Sequence, residues 1–283
     1  MCGIIGIASN KSVSMNIINS LKKLEYRGYD SAGLATLNNN EINEKKCSGR
    51  VEQLEKILFK TSAEGNLGIG HVRWATHGVP NTINAHPHST EIVSVVHNGI
   101  IENSNDLKKQ LELKGLKFKS QTDTEVITLL LTNELKTHQP LDAVHKTLKQ
   151  LKGSFALGII FKNFEDIIIG ARRGSPLAVG YSKDENYLGS DSYALKTMTN
   201  KISYLDDGDI CVLTKDSVSF YDVKKNKINK EVFILSDDKN VSDKGDYKNF
   251  MSKEIFEQPI TAKNCIHEYV DKIRDDINFY NFP

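Results

Sequence analysis

The sequence has neither an excess of charge of one sign nor a long hydrophobic run. Its 283 residues include 37 Lys and Arg against 36 Asp and Glu, for a formal net charge of +1. A protein that holds a nucleic-acid backbone is expected to carry a basic excess or a basic stripe, so this balance argues against nucleic-acid binding. The longest apolar stretch, residues 153–161, is well below the roughly 18 residues of a membrane helix, and we expect no membrane span.

Cysteine is scarce, and its spacing supports no scaffold. The four cysteines, Cys2, Cys47, Cys211 and Cys265, form no CxxC pair, which argues against a disulfide framework or a zinc ribbon. The N-terminus lacks the basic and apolar segments of a secretion signal, so we expect a cytoplasmic protein with reduced thiols. The sequence contains neither a GxGxxG motif nor a P-loop, and we expect no cofactor.

Hydrophobic patterning predicts an α+β protein. Residues 3–8 are a short β-branched run typical of a buried strand, and the apolar spacing over 13–26 predicts an amphipathic helix. The other predicted elements are strands near 32–37, 67–73 and 92–96, helices near 50–60, 103–114, 122 onwards and 141–151, and antiparallel sheet over 154–221. Strands, then helices, then strands again indicate two antiparallel sheets packed face to face with helices outside.

A strongly polar segment after residue 235 predicts a domain boundary. We expect a domain over 1–235 and a helical linker over 236–283. Within the linker we predict a short helix that ends before Pro259 and a second helical stretch to about Asp275. The apolar end, 277–283, is unusual for a terminus, and we interpret it as the lead-in to a further domain.

Cys2 is the first candidate for chemistry. Removal of Met1 would leave a thiol and a free α-amine on one residue. An α-amine titrates near pH ~8, so a useful neutral fraction is present at neutral pH to take the thiol proton. Gly3 beside it lets the backbone bend closely around a substrate. The plain alternative is a small buried residue at the head of a strand.

Three further positions carry suitable chemistry, each with a structural alternative. Arg73 offers a planar fork of donors for a carboxylate. Its structural alternative is a surface salt bridge at the end of a strand, next to a Trp74 that serves as a core anchor. Asn98 and Gly99 bring the donors that stabilise a tetrahedral oxyanion, although Asn-Gly is also a common turn dipeptide. Asp123 stands in a capping-box position, and it either supports a helix start or binds a substrate ammonium group.

Five of the eight histidines lie between His71 and His97, and the sequence His86-Pro87-His88 invites a metal-site interpretation. No Cys, Asp or Glu ligand stands at a familiar interval from them. We therefore expect no metal site and explain these histidines by packing and loop hydrogen bonds.

Long, ordered motifs resemble one family over nearly the whole chain. They are 1–6 (MCGIIG), 24–33 (LEYRGYDSAG), 73–78 (RWATHG), 84–88 (NAHPH), 97–103 (HNGIIEN), 122–125 (TDTE), 173–177 (RGSPL), 189–191 (GSD) and 253–259 (KEIFEQP). These motifs are similar to those of the glutaminase domain of glutamine–fructose-6-phosphate aminotransferases, also called glucosamine-6-phosphate synthases.

The resemblance implies a fold and a reaction. The fold is the N-terminal nucleophile hydrolase type, a four-layer αββα sandwich. The reaction is glutamine hydrolysis, in which Cys2 attacks the side-chain amide, forms a glutamyl thioester and releases ammonia, with Asn98 and Gly99 as the oxyanion hole. The resemblance also assigns the substrate carboxylate to Arg73, its α-amino group to Asp123, covering-loop contacts to Thr76 and His77, and the gate of an ammonia channel to Trp74.

The resemblance further implies a missing half, an isomerase that binds fructose 6-phosphate and makes glucosamine 6-phosphate for amino-sugar biosynthesis, and a homodimer for the full-length enzyme. Glutamine hydrolysis is then the strongest activity expected of these residues alone. Two alternatives stay open. One is the glutaminase half of a phosphoribosyl-pyrophosphate or asparagine-forming amidotransferase, and the other is a non-catalytic interaction module. The motifs at 24–33 and 73–78 favour the hexosamine enzymes.

Overall fold

The computed structural model describes residues 2–235, 246–248, 250–271 and 276–277. The chain forms two compact units, Met1–Ser236 and Asp237–Pro283. The strands of the first unit are β1 (Gly3–Ser9), β2 (Ser31–Asn38), β3 (Glu41–Ser48), β4 (Leu67–Arg73), β5 (His88–Ser89), β6 (Val93–Ile101), β7 (Gly153–Phe161), β8 (Phe164–Arg173), β9 (Ala178–Tyr181), β10 (Glu185–Gly189), β11 (Lys201–Tyr204), β12 (Ile210–Leu213), β13 (Val218–Tyr221), β14 (Lys227–Ile228) and β15 (Phe233–Ile234). Its helices are α1 (Ser14–Leu24), α2 (Val51–Lys60), α3 (Ser104–Leu113), α4 (Thr124–Glu134), α5 (Pro140–Leu148) and α6 (Ser192–Lys196).

The strands of the first unit form two sheets. One has the order β15-β11-β9-β10-β1-β4-β2-β3, and the other has the order β14-β13-β12-β8-β7-β6-β5. All of the described strand pairs are antiparallel. The predicted pair of antiparallel sheets is therefore confirmed.

The central strand β1 shows how the layers form. Its side chains alternate between two cores, because successive residues of a strand point to opposite faces. Ile4 and Ala8 pack between the two sheets, whereas Ile5 and Ile7 pack beneath the helices. A strand that is buried on both faces must be apolar throughout, which explains the uninterrupted hydrophobic run at the start of the sequence.

Helices cover the outer face of each sheet. Ile17 and Leu21 of α1, with Leu54 of α2, are fully buried over the first sheet. Ile127 of α4 and Val144 of α5 are fully buried over the second sheet. The layers therefore run helix, sheet, sheet, helix, and the predicted αββα sandwich is confirmed.

Strand β3 was not predicted from the sequence. It lies at the edge of its sheet, where it pairs with β2 alone. Most of its residues are partly exposed, and it carries charged side chains such as Lys45 and Lys46. Charge on an edge strand discourages pairing with other chains, and it also removes the apolar alternation by which a strand is recognised.

The second unit contains α7 (Phe250–Tyr269), followed by β16 (Val270–Asp271) paired with β17 (Asp276–Ile277). The predicted break at Pro259 is wrong, because the helix continues through it. Proline removes one helical hydrogen bond, and the carbonyl group left without a partner belongs to Ile255, an exposed residue at which water can replace the bond. The predicted helix to Asp275 ends at Tyr269 instead, and residues 278–283 of the apolar end lie outside the described residues. Among the described residues, no helix has the length and apolar character to cross a membrane.

Four histidines are buried together in the first unit. His71 and His86 stack with ring centroids 4.2 Å apart, and His86 meets His88 edge-on at 4.8 Å. The hydroxyl of Thr124 lies 2.8 Å from His86 Nε2 and 2.9 Å from His97 Nδ1. Within the described part of the chain, no group of three or more His, Cys, Asp or Glu side chains is arranged to hold a metal ion.

We expect the free energy of unfolding to fall as the pH drops from 7 to 5. Burial lowers the pKa of His71 to about 3 and that of His86, His88 and His97 below the usual 6.5. The unfolded chain therefore binds protons that the folded chain does not, and stability present above pH 6.5 is lost below it. His71 alone accounts for a loss of about 2 kcal/mol. Urea unfolding at both pH values measures the change, and a midpoint that stays constant or rises at pH 5 contradicts neutral burial of the histidines.

Candidate active site

Cys2 stands where strands β1 and β4 meet. It directly precedes β1, and the pairing of Gly3 with Val72 brings it next to the residues that follow β4. Cys2 Sγ lies 3.3 Å from the backbone nitrogen of Trp74 and 3.5 Å from its carbonyl oxygen. The residue is partly exposed.

Burial raises the pKa of the Cys2 thiol above its usual value, although the Trp74 backbone hydrogen bond and the positive charges of the N-terminus and Arg73 oppose the shift. The thiol therefore stays protonated at neutral pH. Nucleophilic attack by this sulfur requires a base that removes the proton.

Asn98 and Gly99 lie inside β6, paired with Ala156 and Phe155 of β7. The interpretation of Asn-Gly as a turn is therefore wrong. Asn98 is buried, and its Nδ2 donates a hydrogen bond of 3.0 Å to the Cys2 carbonyl oxygen. Gly99 has a φ of +128°, and a Cβ atom there would collide with the carbonyl group that lies opposite on β7. Only glycine suits this position.

Arg73 ends β4 and is only 3% exposed, so the surface salt-bridge interpretation is wrong. Its Nη2 donates hydrogen bonds to two backbone carbonyl groups of the following loop. Its Nη1 is buried without a hydrogen-bond partner among the described residues. Burial lowers the pKa of Arg73, and the negative charges of Asp30 and Asp123 nearby oppose this shift. A buried guanidinium with an unused donor is suited to an anionic ligand.

Asp123 precedes α4 but does not cap it, so the capping-box interpretation is wrong. Its Oδ2 accepts a hydrogen bond of 2.8 Å from the backbone N–H of Ile101, at the end of β6. Glu125, the other half of the supposed box, instead accepts from the backbone N–H groups of residues 119 and 120. Asp123 is 8% exposed, so its carboxylate is largely shielded from solvent.

The loop after β4 lies beside the thiol. Trp74 is 44% exposed and packs edge-on against Tyr29 at a centroid distance of 5.9 Å, so it is not a core anchor. The Asp30 carboxylate accepts a hydrogen bond from the backbone N–H that follows Trp74 and holds the base of the loop. Farther along, Thr76 Oγ1 lies 3.3 Å from His77 Nδ1, so these two side chains contact each other.

Two residues contact the site without having been assigned a role from the sequence. Asp30 holds the loop, and His71 Nε2 lies 3.1 Å from Asn98 Oδ1. A signal for His71 was available, because it stands two residues before Arg73 in a strand and so shares its face of the sheet. Asp30 lies within the long motif at 24–33, but its partner is a backbone group, which no sequence motif reveals.

The sequence is similar to known glutamine amidotransferases. Residues 79–197 match the profile of the glutamine amidotransferase domain family. Over 272 residues the chain is 48% identical to the glutamine–fructose-6-phosphate aminotransferase (isomerizing) of Mesorhizobium japonicum, and the match covers 96% of this chain and 45% of the relative. The enzyme of the same name from Zymomonas mobilis is 44% identical over 278 residues, covering 98% of this chain and 46% of the relative. The chain thus spans about half the length of these relatives.

A solved structure supports the fold. The glutamine phosphoribosylpyrophosphate amidotransferase of B. subtilis, complexed with ADP and GMP, superposes with a TM-score of 0.69 over 80% of this chain and 50% of that one. At a sequence identity of 24%, this similarity is evidence for the fold alone. The sequence relatives are closer and more specific. The chain therefore carries a glutamine amidotransferase domain over residues 79–197, and almost its whole length is similar to about half of the glutamine–fructose-6-phosphate aminotransferases.

Proposed function

We propose that this chain hydrolyses glutamine to glutamate and ammonia. In the whole protein that ammonia serves the conversion of fructose 6-phosphate to glucosamine 6-phosphate. The observation that carries the proposal is that two buried groups meet at Cys2: the Asn98 amide, which donates to the Cys2 carbonyl oxygen, and the Arg73 guanidinium, whose charge acts on the thiol. Identities of 48% and 44% to enzymes named as glutamine–fructose-6-phosphate aminotransferases support this choice over other amidotransferases.

Cys2 is the nucleophile of the proposed reaction. Its protonated thiol needs a base, and removal of Met1 would leave an α-amine on the same residue to serve as one. The sulfur attacks the amide carbon of glutamine while the thiol proton moves to the amine. The amine then passes that proton to the leaving nitrogen, the C–N bond breaks, and ammonia departs from a glutamyl thioester. Water hydrolyses the thioester to glutamate and restores the thiol.

Asn98 and Gly99 form the proposed oxyanion hole. The Cys2 carbonyl oxygen, 3.0 Å away, uses one hydrogen of Asn98 Nδ2, and the second hydrogen remains for the oxyanion. The backbone N–H of Gly99 is the second donor. Preorganised donors of this kind act on charge that develops in the transition state, and the loss of one costs about 10²–10³ in kcat.

The two remaining charged residues of the site, Arg73 and Asp123, match the two charged ends of glutamine. The unused Nη1 donor of Arg73 suits the α-carboxylate, and the Asp123 carboxylate suits the α-ammonium group. An amide without these charges leaves Arg73 and Asp123 unpaired in a closed site, which selects glutamine over simple amides. In the same proposal Thr76 and His77 contact the substrate when the loop covers it, and Trp74 gates the path of ammonia.

The proposal extends to the whole protein. Residues 1–235 form the glutaminase domain, and residues 236–283 lead into a sugar-isomerase half that binds fructose 6-phosphate. This chain spans only 45% and 46% of the length of the two relatives, which supports a second half of about equal size in the whole protein. We propose a homodimer, the commonest symmetric oligomer, and a cytoplasmic location, which suits the free thiols of all four cysteines.

Replacing the nucleophile is expected to abolish activity. In Cys2→Ala no sulfur is present to form the thioester, so glutamate release from glutamine, followed by a coupled dehydrogenase assay, should fall to background. Cys265→Ala is the matched control, because this exposed thiol lies in the second unit, and it should keep the parent rate. Intact-mass measurement should show that Met1 is absent from active protein. Unchanged release by Cys2→Ala, or full activity with Met1 retained, contradicts the mechanism.

Arg73 and Asp123 are expected to recognise different ends of glutamine. Asp123→Asn should lose the preference for glutamine over 4-carbamoylbutanoate, which lacks the amino group. Arg73→Met should lose the preference over 4-aminobutanamide, which lacks the carboxylate. Each preference of the parent chain should be about 10- to 100-fold in kcat/KM, as hydrogen bonds to charged groups provide. Loss of both preferences in one variant, or of neither, shows that the two groups are wrongly assigned.

A further inference from the structure

His71 lies beside Asn98 but takes no part in the mechanism above. It is fully buried in β4, and its Nε2 lies 3.0 Å from the His97 carbonyl oxygen and 3.1 Å from Asn98 Oδ1. A backbone carbonyl oxygen only accepts hydrogen bonds, so Nε2 carries the hydrogen. The His97 carbonyl group thereby selects the tautomer of His71, and the donor faces the oxygen end of the Asn98 amide.

This tautomer determines which way the Asn98 amide points. The two ends of an amide have nearly the same shape, so packing alone selects neither orientation. If the amide turned by 180°, its N–H group would meet the Nε2–H of His71, and its oxygen would meet the Cys2 carbonyl oxygen. Both hydrogen bonds would be replaced by contacts between like groups, and buried polar atoms would be left unsatisfied. The observed orientation keeps Nδ2 toward Cys2.

The His71 ring is itself held in place. It stacks on His86 with a centroid separation of 4.2 Å and an angle of 29° between the rings. Burial lowers the pKa of His71 to about 3, so the ring stays neutral at physiological pH. Its Nδ1 is buried and has no hydrogen-bond partner among the described residues, so no group there competes for the opposite tautomer.

We propose that His71 is a positioning residue that holds the Asn98 side-chain amide with its N–H donors toward Cys2. The inference rests on the proposed glutaminase function, and His71 acts through Asn98 without touching the substrate. Without this contact the amide is free to turn, and the oxyanion donor is correctly placed in only a fraction of the molecules. The misplaced donor weakens stabilisation of the transition state. It leaves the binding of glutamine unchanged, because that binding depends on Arg73 and Asp123.

The test compares two variants that differ by one methylene group. His71→Gln puts an amide N–H close to the position of Nε2, whereas the shorter His71→Asn puts it near the position of Nδ1, out of reach of Asn98. We expect His71→Asn to lower kcat for glutamine about 10- to 100-fold with little change in KM, because a misplaced oxyanion donor weakens the transition state alone. His71→Gln should recover most of the lost kcat.

His88→Asn is the matched control. His88 is buried in the same histidine cluster, but its Nε2 bonds the Thr122 hydroxyl at 2.9 Å and not Asn98. This variant should keep the parent kcat when rates are expressed per alkylatable Cys2 thiol. A His71→Asn variant with the parent kcat, a loss confined to KM, or no recovery in His71→Gln overturns the inference. A parent chain that releases no glutamate contradicts the proposed function instead.

Nitrogen-15 NMR of the histidine rings in the parent chain decides the tautomer even if a variant fails to fold. Protonated Nε2 with bare Nδ1 at His71 supports the inference. Protonated Nδ1 with bare Nε2 overturns it, because Nε2 then has no hydrogen to donate to Asn98. The result does not depend on glutaminase activity, so it separates failure of this inference from failure of the proposed function.

Discussion

The hydrogen bond from Asn98 Nδ2 to the Cys2 carbonyl oxygen joins the two sheets at the point where the thiol stands. Cys2 precedes a strand of one sheet, and Asn98 lies in a strand of the other. A slip of one residue in either strand would turn its side chains to the opposite face and separate the two groups. The rest of the site depends on the same strands, because Arg73 ends the neighbour of β1 and Asp123 accepts a hydrogen bond from the end of β6.

The layers of the fold were predictable because burial on both faces leaves a direct trace in the sequence. The apolar run of β1 and the helical spacing of Ile17 and Leu21 follow from their positions between cores. Strand β3 left no such trace, since an edge strand tolerates charge and needs apolar residues on few positions. The path of α7 through Pro259 also escaped prediction, because solvent can satisfy the carbonyl group that proline leaves unpaired in an exposed helix.

The candidate site was predictable where a residue's own chemistry indicates its role. A thiol next to an N-terminal amine and a guanidinium before a loop made Cys2 and Arg73 candidates, each beside a structural alternative, and the family resemblance favoured the functional interpretation. Local patterns misled at Asn98, which resembles a turn residue, and at Asp123, which resembles a helix cap, because the partners of both side chains lie far away in the sequence. His71 was missed for the same reason, since its role lies entirely in contacts that only the fold creates.

The central claim is that the sulfur of Cys2 attacks the amide carbon of glutamine. Peptide mass spectrometry after reaction with 6-diazo-5-oxo-L-norleucine, a glutamine analogue that alkylates the attacking group, tests it most directly. The account predicts one adduct for each chain, carried by the peptide that begins at Cys2, and a loss of glutamate release in proportion to the adduct. An adduct on any other residue, or complete inactivation with Cys2 unmodified, would contradict the account.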